Sequence, residues 1–152
     1  MTYAISNAAA AARTSQTEIP AVGAAAGGVR AVLRAEGFAL AVAATAAYAH
    51  AGFSWGLFAA LFFAPDLSFA AYLLGPRWGA AAHNLVHSTI APLALGAAGL
   101  ALGLPEAEAI GLIALAHIGF DRALGYGLKY SVGVGVTHLG RLGRAGTEIN
   151  SN

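Results

Sequence analysis

The polar positions of this chain are few, and their spacing sets the folding problem. From Gly37 to Pro65 no charged residue occurs over 29 positions. A turn signal, Gly52-Phe53-Ser54, divides the run. A bilayer-crossing helix needs about 20 residues, so two such helices fit only if both extend beyond the run. The first must start near Arg30 to Leu33, and the second must carry Asp66 into the membrane. The pattern predicts helices over 31–52 and 54–75, with Gly75-Pro76 as the stop of the second. Trp78 to Gly103 is a third apolar run and predicts a helix over 78–103, kinked at Pro92. Gly103-Leu104-Pro105 reads as a helix stop followed by a proline start. Glu106 and Glu108 then fall in a first turn, where the helix dipole favours anions. The last apolar run, Ala109 to Phe120, is too short to span by itself. A fourth helix over 105–125 must therefore carry His117, Asp121 and Arg122.

Composition turns this pattern into a membrane assignment. The chain is 58% hydrophobic and only 10% charged, whereas a soluble domain carries about 25% charged residues. The expected fold is all-α, an integral membrane four-helix bundle. The eight basic residues are Arg13, Arg30, Arg34, Arg77, Arg122, Lys129, Arg141 and Arg144. With four spans all of them lie at or near one face, and the turns near Gly52 and Gly103 carry none. The positive-inside rule makes that face cytoplasmic, with both termini on it, in a multi-pass protein of the inner or plasma membrane. Residues 1–28, rich in Ala, Ser, Thr and Gly, read as a disordered tail. Residues 29–130 form the membrane domain. Residues 131–152 read as a short cytoplasmic tail, with an ordered flap over the helix ends as the alternative. The net charge of +1 and the lack of a basic run argue against a nucleic-acid partner. The absence of cysteine removes disulfides, thiolate metal sites and thiol nucleophiles.

The candidate chemistry lies at one depth. Counted at about 1.5 Å per residue, Asp66, Asn84, His87, His117 and Asp121 all lie roughly 6 to 14 Å from the cytoplasmic helix ends. Asn84 and His87 are i,i+3, Ser88 is i+4 from Asn84, and His117 and Asp121 are i,i+4, so each set shares a helix face. An ionisable residue near a span centre costs about 2.5–3.5 kcal/mol on insertion scales. Such residues usually face the bundle interior and mark function. One reading is a membrane enzyme in which Asp66, His87, His117 and Asp121 hold a divalent metal such as zinc. Asn84 and Ser88 would orient that set, and Arg122 would bind an anionic headgroup or phosphate. His83, i,i+4 to His87, offers an HxxxH ligand pair. A second reading is a proton- or ion-coupled carrier or binding module, which four helices would support best as a homo-oligomer. A third is an accessory membrane protein in which Arg122 neutralises Asp66 and the polar layer only fixes packing. His50 falls at the outer end of the first span and His138 in the tail.

Two stretches, PDLSFAAYLLGPRWGAAAHNLVHS and AHIGFDRALGYGLKY, resemble an uncharacterised family of small bacterial four-helix membrane proteins known as a domain of unknown function. The resemblance runs from about Arg30 to Arg144. It rests on PDLS at Pro65–Ser68, NLVH at Asn84–His87, the run His117–Tyr130 and THLGR at Thr137–Arg141. It implies the four-helix membrane fold and an aromatic where this chain has His83, and it supplies no activity. Asp66 and His87-Ser88 are also similar to the Pro-Asp and Thr-His-Ser motifs of small membrane-bound metal-dependent hydrolases. That likeness implies a metal-dependent hydrolase acting on a lipid-like substrate. The arginine-bearing histidine motif of those enzymes is missing here.

Overall fold

The computed structural model describes residues 24–141. Most of the expected N-terminal tail and residues 142–152 lie outside the described residues. The elements in chain order are α1 (Gly27–His50), α2 (Trp55–Leu61), a 3₁₀-helix (Ala64–Leu74), α3 (Pro76–His87), α4 (Ile90–Leu102) and α5 (Pro105–Leu124). A two-stranded ribbon follows, β1 (Val136–Thr137) and β2 (Gly140–Arg141).

These elements make four helical runs. Three of them, Gly27–His50, Trp55–Leu74 and Pro76–Leu102, are long and apolar enough to cross a membrane. The fourth, α5, carries Glu106, Glu108, Asp121 and Arg122, and it is the most enclosed helix of the bundle. It buries Ala109, Gly111, Ile113, Leu115, Ala116, His117, Ile118 and Gly119. Helix α1 packs along α5, α4 also packs on it, and α3 packs on the 3₁₀-helix. Small residues let the backbones meet. Gly119 lies against Gly37 and Ala41, and Gly111 lies against Gly96 and Pro92. By contrast, α2 and the 3₁₀-helix bury no residue, and Leu73 is 90% exposed. An apolar skin of this kind suits lipid.

Two spans expected to be continuous are broken. Pro65 has no N–H, and its ring would clash with the carbonyl four residues back, at Leu61. Helix α2 accordingly ends at Leu61, and the chain resumes as a 3₁₀-helix from Ala64. The third run breaks as well, but at Ser88 rather than at Pro92. Pro92 cannot donate to the Ser88 carbonyl, so the helix is interrupted where that bond would form. Ser88 is extended (φ −75°, ψ 141°), and its Oγ accepts the Ile90 amide at 3.2 Å as α4 restarts.

The all-α expectation also needs a small addition. Helix α5 stops at Gly125, which adopts a left-handed conformation (φ 96°) that favours glycine. The chain then turns back, and Lys129 pairs with Thr137 beside the ribbon. The ribbon registers Val136 with Arg141 and Thr137 with Gly140. The described part of the tail, up to Arg141, thus folds back beside the segment that follows α5. The Ala25 amide donates to the His138 carbonyl at 2.7 Å, tying the start of α1 to the folded-back tail. At the opposite end, the buried Tyr48 hydroxyl donates to the Ser54 carbonyl at 2.6 Å and fixes the turn between the first two runs.

Candidate metal centre

Both helix breaks fall beside candidate ligands. Asp66 follows Pro65 in the first turn of the 3₁₀-helix, and His87 is the last residue of α3. His117 and Asp121 come from consecutive turns of α5. Interrupted helices thus bring side chains from three elements to one point. Phe62 and Phe63 pack edge-on against the His117 ring, with centroids 5.3 and 6.3 Å away.

The four heads converge closely. His87 Nε2 and His117 Nε2 are 3.2 Å apart. Asp66 Oδ1 is 3.5 Å from each of these nitrogens. Asp121 Oδ2 is 3.6 Å from His87 Nε2 and 3.8 Å from His117 Nε2. One donor atom from each of the four residues lies within 4.8 Å of all the others. Both histidines are buried, while the Asp66 side chain is 38% and Asp121 19% exposed.

These spacings are too long for carboxylate–imidazolium hydrogen bonds, which run at about 2.7–2.9 Å. They are close to the separation between ligands of a tetrahedral ion, about 3.3–3.4 Å for bonds of about 2.0–2.1 Å. Protons are also scarce. His87 Nδ1 lies 3.0 Å from the His83 carbonyl oxygen and donates its proton there. In the neutral ring, His87 Nε2 is then a bare lone pair, facing two carboxylates and a second imidazole. A backbone acceptor on the far nitrogen is the usual way a metal-ligating histidine is oriented. The donor set, two imidazoles and two carboxylates, is chemically suited to zinc or a similar divalent ion.

A cleft of about 370 Å³ opens on this set, lined by Asp66, Phe69, His83, Asp121, Tyr126 and Lys129. The carboxylates, not the two ligand imidazoles, form its wall. Lys129 is the only lysine of the chain and is 5% exposed. Its ammonium lies over the Phe69 ring, 5.2 Å from the centroid. Burial lowers its pKa, while Asp121 and Asp66 act in the opposite direction.

The remaining expected residues have other positions. Asn84 clamps the backbone of Lys129: its Nδ2 donates to the Lys129 carbonyl at 2.9 Å and its Oδ1 accepts the Lys129 amide at 2.7 Å. Ser88 closes α3 at its C-cap, and its Oγ accepts the Ile90 amide at the start of α4. His83 contributes its carbonyl and stacks on His87 with centroids 3.7 Å apart, and its ring lies outside the four-atom set. Arg122, one position after Asp121, does not line this cleft; it lines a cavity of about 210 Å³ with Glu36 and His138, and a small pocket that His87 and Asp121 also border. Among the described residues no ion pair joins Arg122 to Asp66 or any other carboxylate. His50 is exposed, and His138 Nδ1 accepts the Leu128 amide at 2.9 Å. Lys129 is the residue that sequence reasoning used only as a topological charge. Its signal was its position, as the sole lysine, just beyond the glycine stop of the helix bearing His117 and Asp121.

Fold and site together define a helical protein of membrane type with a buried His/Asp cluster of metal-binding composition. Residues 30–142 match DUF4260, a domain of unknown function, and the chain belongs to that family. No curated protein and no solved structure matches the chain.

Proposed function

We propose that this protein is a multi-pass membrane protein with both termini cytoplasmic, and that it acts as a metal-dependent hydrolase on a lipid-like substrate. Asp66, His87, His117 and Asp121 hold one divalent ion, zinc by donor type. The observation that carries this reading is the convergence of the four heads: the imidazole–carboxylate gaps of 3.5–3.8 Å are wider than charge-assisted hydrogen bonds, the two imidazole nitrogens are 3.2 Å apart, and all of these are close to the spacing of ligands around one ion. Held by Asp66, His87, His117 and Asp121, such an ion would supply Lewis-acid chemistry for the activation of water and of an ester. In hydrolysis the water oxygen bonds to the ester centre, the bond to the leaving alcohol breaks, and the alcohol departs with a proton. The chain's own contribution is to hold the ligands, through the His83 carbonyl and the phenylalanine packing, and to admit reactants only from the carboxylate side.

Lipid-like substrates suit a second feature. An apolar groove of about 420 Å³ is walled by Pro65, Val86 and Ala114, among others. Pro65 and Val86 immediately precede Asp66 and His87, and Ala114 lies one turn before His117. An acyl chain in the groove would lie beside the ligand-bearing backbone. The carrier reading fares less well, because a proton relay needs hydrogen-bonded steps and the imidazole–carboxylate distances of 3.5–3.8 Å exceed them.

Elemental analysis of the detergent-purified protein tests the proposal. The expected content is about one divalent ion per chain, lost in His87→Ala and His117→Ala and kept in Ser88→Ala. Folded wild-type protein that takes up no ion from zinc-supplemented buffer would sink it.

A further inference from the structure

Lys129 carries a buried charge that no ion pair among the described residues neutralises. The residue is 5% exposed, and among the described residues no carboxylate lies in ion-pair range of its ammonium. Its ammonium lies over the Phe69 ring, a cation–π contact that attracts the charge without neutralising it. Yet its backbone is held by both polar atoms of Asn84, so its position is fixed. Its side chain borders the same cleft as Asp66 and Asp121. His83, also on that wall and 2% exposed, has an Nδ1 without a hydrogen-bond partner.

Charge counting gives this placement a meaning. Two carboxylates and one divalent ion sum to zero. Lys129 then leaves the cleft with one net positive charge in a poorly solvated place, where an unpaired charge is costly. A ligand with one or two negative charges, spread over several oxygens, balances that charge. It can offer one oxygen to the ammonium and another to the ion.

We propose that Lys129 is the anion anchor of this cleft and that the substrate head is a phosphate ester. This rests on the metal centre proposed above and gives it a substrate class. Arg122, the cation expected in this role, does not line the cleft that holds Asp66 and Lys129. Lysine binds phosphate as a point charge. The cleft, of about 370 Å³, is large enough for a phosphate group and the first atoms of its ester.

The test uses zinc-loaded full-length protein in maltoside micelles. Bound zinc is quantified on every sample, and inorganic phosphate and dodecyl phosphate are titrated by calorimetry. Wild type should bind both. Lys129→Gln should keep its zinc and its circular dichroism spectrum while phosphate affinity falls about 10- to 100-fold, the scale of one charge-assisted contact. Lys129→Arg should restore most of the affinity. Tighter binding of dodecyl phosphate than of inorganic phosphate identifies a lipid phosphate as the source, and equal affinities identify free phosphate; both support the anchor. Zinc-loaded wild type that binds neither probe overturns the anchor alone, as does zinc-loaded Lys129→Gln with undiminished affinity. Protein that takes up no zinc overturns the metal centre and the anchor with it.

Discussion

Replacing Asn84 with alanine separates two roles that its sequence position left together. The sequence places Asn84 on the face of His87, where it would orient the ligand set. In the structure both of its polar atoms hold Lys129, at 2.7 and 2.9 Å. Alanine removes both bonds. Each is worth about 1 kcal/mol net, and the Lys129 amide and carbonyl left buried without partners add about 1–3 kcal/mol more. The total is about 3–5 kcal/mol, concentrated on the segment between α5 and the ribbon. The opening equilibrium of that segment should rise by at least about two orders of magnitude. Trypsin reports this directly, because cleavage after Lys129 requires the segment to open. When opening is fast relative to cleavage, the rate follows the open population. Cleavage after Lys129 should therefore accelerate at least tenfold in Asn84→Ala, while bound metal stays at the wild-type level. Unchanged cleavage would show that the clamp contributes little. Loss of the ion with unchanged cleavage would return Asn84 to the ligand set.

Two further perturbations test the scaffold. A Cβ on Gly111 would lie 2.6 Å from the Gly96 nitrogen and 2.8 Å from the Pro92 oxygen, both backbone. Gly111→Ala should thus separate α4 from α5 at a cost of about 1–3 kcal/mol, read as a lower thermal midpoint in detergent. Gly56→Ala, whose Cβ would meet only Ser54 Oγ at 3.5 Å, should be neutral or slightly stabilising. Equal effects at the two sites would refute the close-packing account. His138 gives a pH test. Burial and the nearby Arg122 charge lower its folded pKa, and its Nδ1 accepts the Leu128 amide only in the neutral ring. The folded-back tail should hold its full stability above the ordinary histidine pKa of about 6.5 and lose it as pH falls below that value, because the open state then binds a proton that the closed state refuses. Hydrogen exchange at the Leu128 amide, corrected for intrinsic rates, should report more opening at pH 5.5 than at pH 7.5. In His138→Gln this difference should shrink, and an undiminished difference would assign it to another group.

How much of this was legible in the sequence depended on the kind of signal. The four helical runs followed from charge-free lengths and from the Gly52, Gly75-Pro76 and Gly103-Leu104-Pro105 stops, which act locally. The convergence of Asp66, His87, His117 and Asp121 followed from depth counting, because the membrane forces antiparallel helices into register. What escaped was set by rotation and by the third dimension. Asp121 and Arg122 are adjacent and depth groups them, but about 100° of helix turn separates them, and only Asp121 lines the cleft with Asp66 and Lys129. Pro65 and Pro92 announced disturbances, but where each break fell depended on which carbonyl lost its donor. Ser88 bonds the Ile90 amide because the helix broke at that residue. Lys129 was invisible as a site residue because its approach depends on the left-handed turn at Gly125 and on the Asn84 clamp, contacts that span 45 residues of sequence.

The four ligands also carry a consequence for stability that separates a metal centre from a packing network. Placing Asp66 and Asp121 at membrane depth costs about 2.5–3.5 kcal/mol each on insertion scales, or about 5–7 kcal/mol together. That is comparable to the whole stability of a typical domain, about 5–15 kcal/mol. On the proposed reading a bound divalent ion would cancel both charges, and the folded state would then depend on it. At free zinc one hundred times its Kd the ion stabilises the folded chain by about 2.7 kcal/mol. For a chain of this size that raises the thermal midpoint by about 5–11 °C. Chelation should lower the midpoint by this amount. The double variant Asp66→Asn, Asp121→Asn should bind no zinc, yet melt above chelated wild type, because its side chains keep their shape and shed the uncompensated charge. A hydrogen-bonded packing network makes the opposite prediction. There the carboxylates are the partners of the histidines, chelators do nothing, and the asparagine pair melts lower than wild type under every condition. Thermal scans of the two proteins with and without chelator therefore decide between the readings. If zinc is stripped from wild type and the midpoint does not move, Asp66 and Asp121 are held at that depth by something other than the ion.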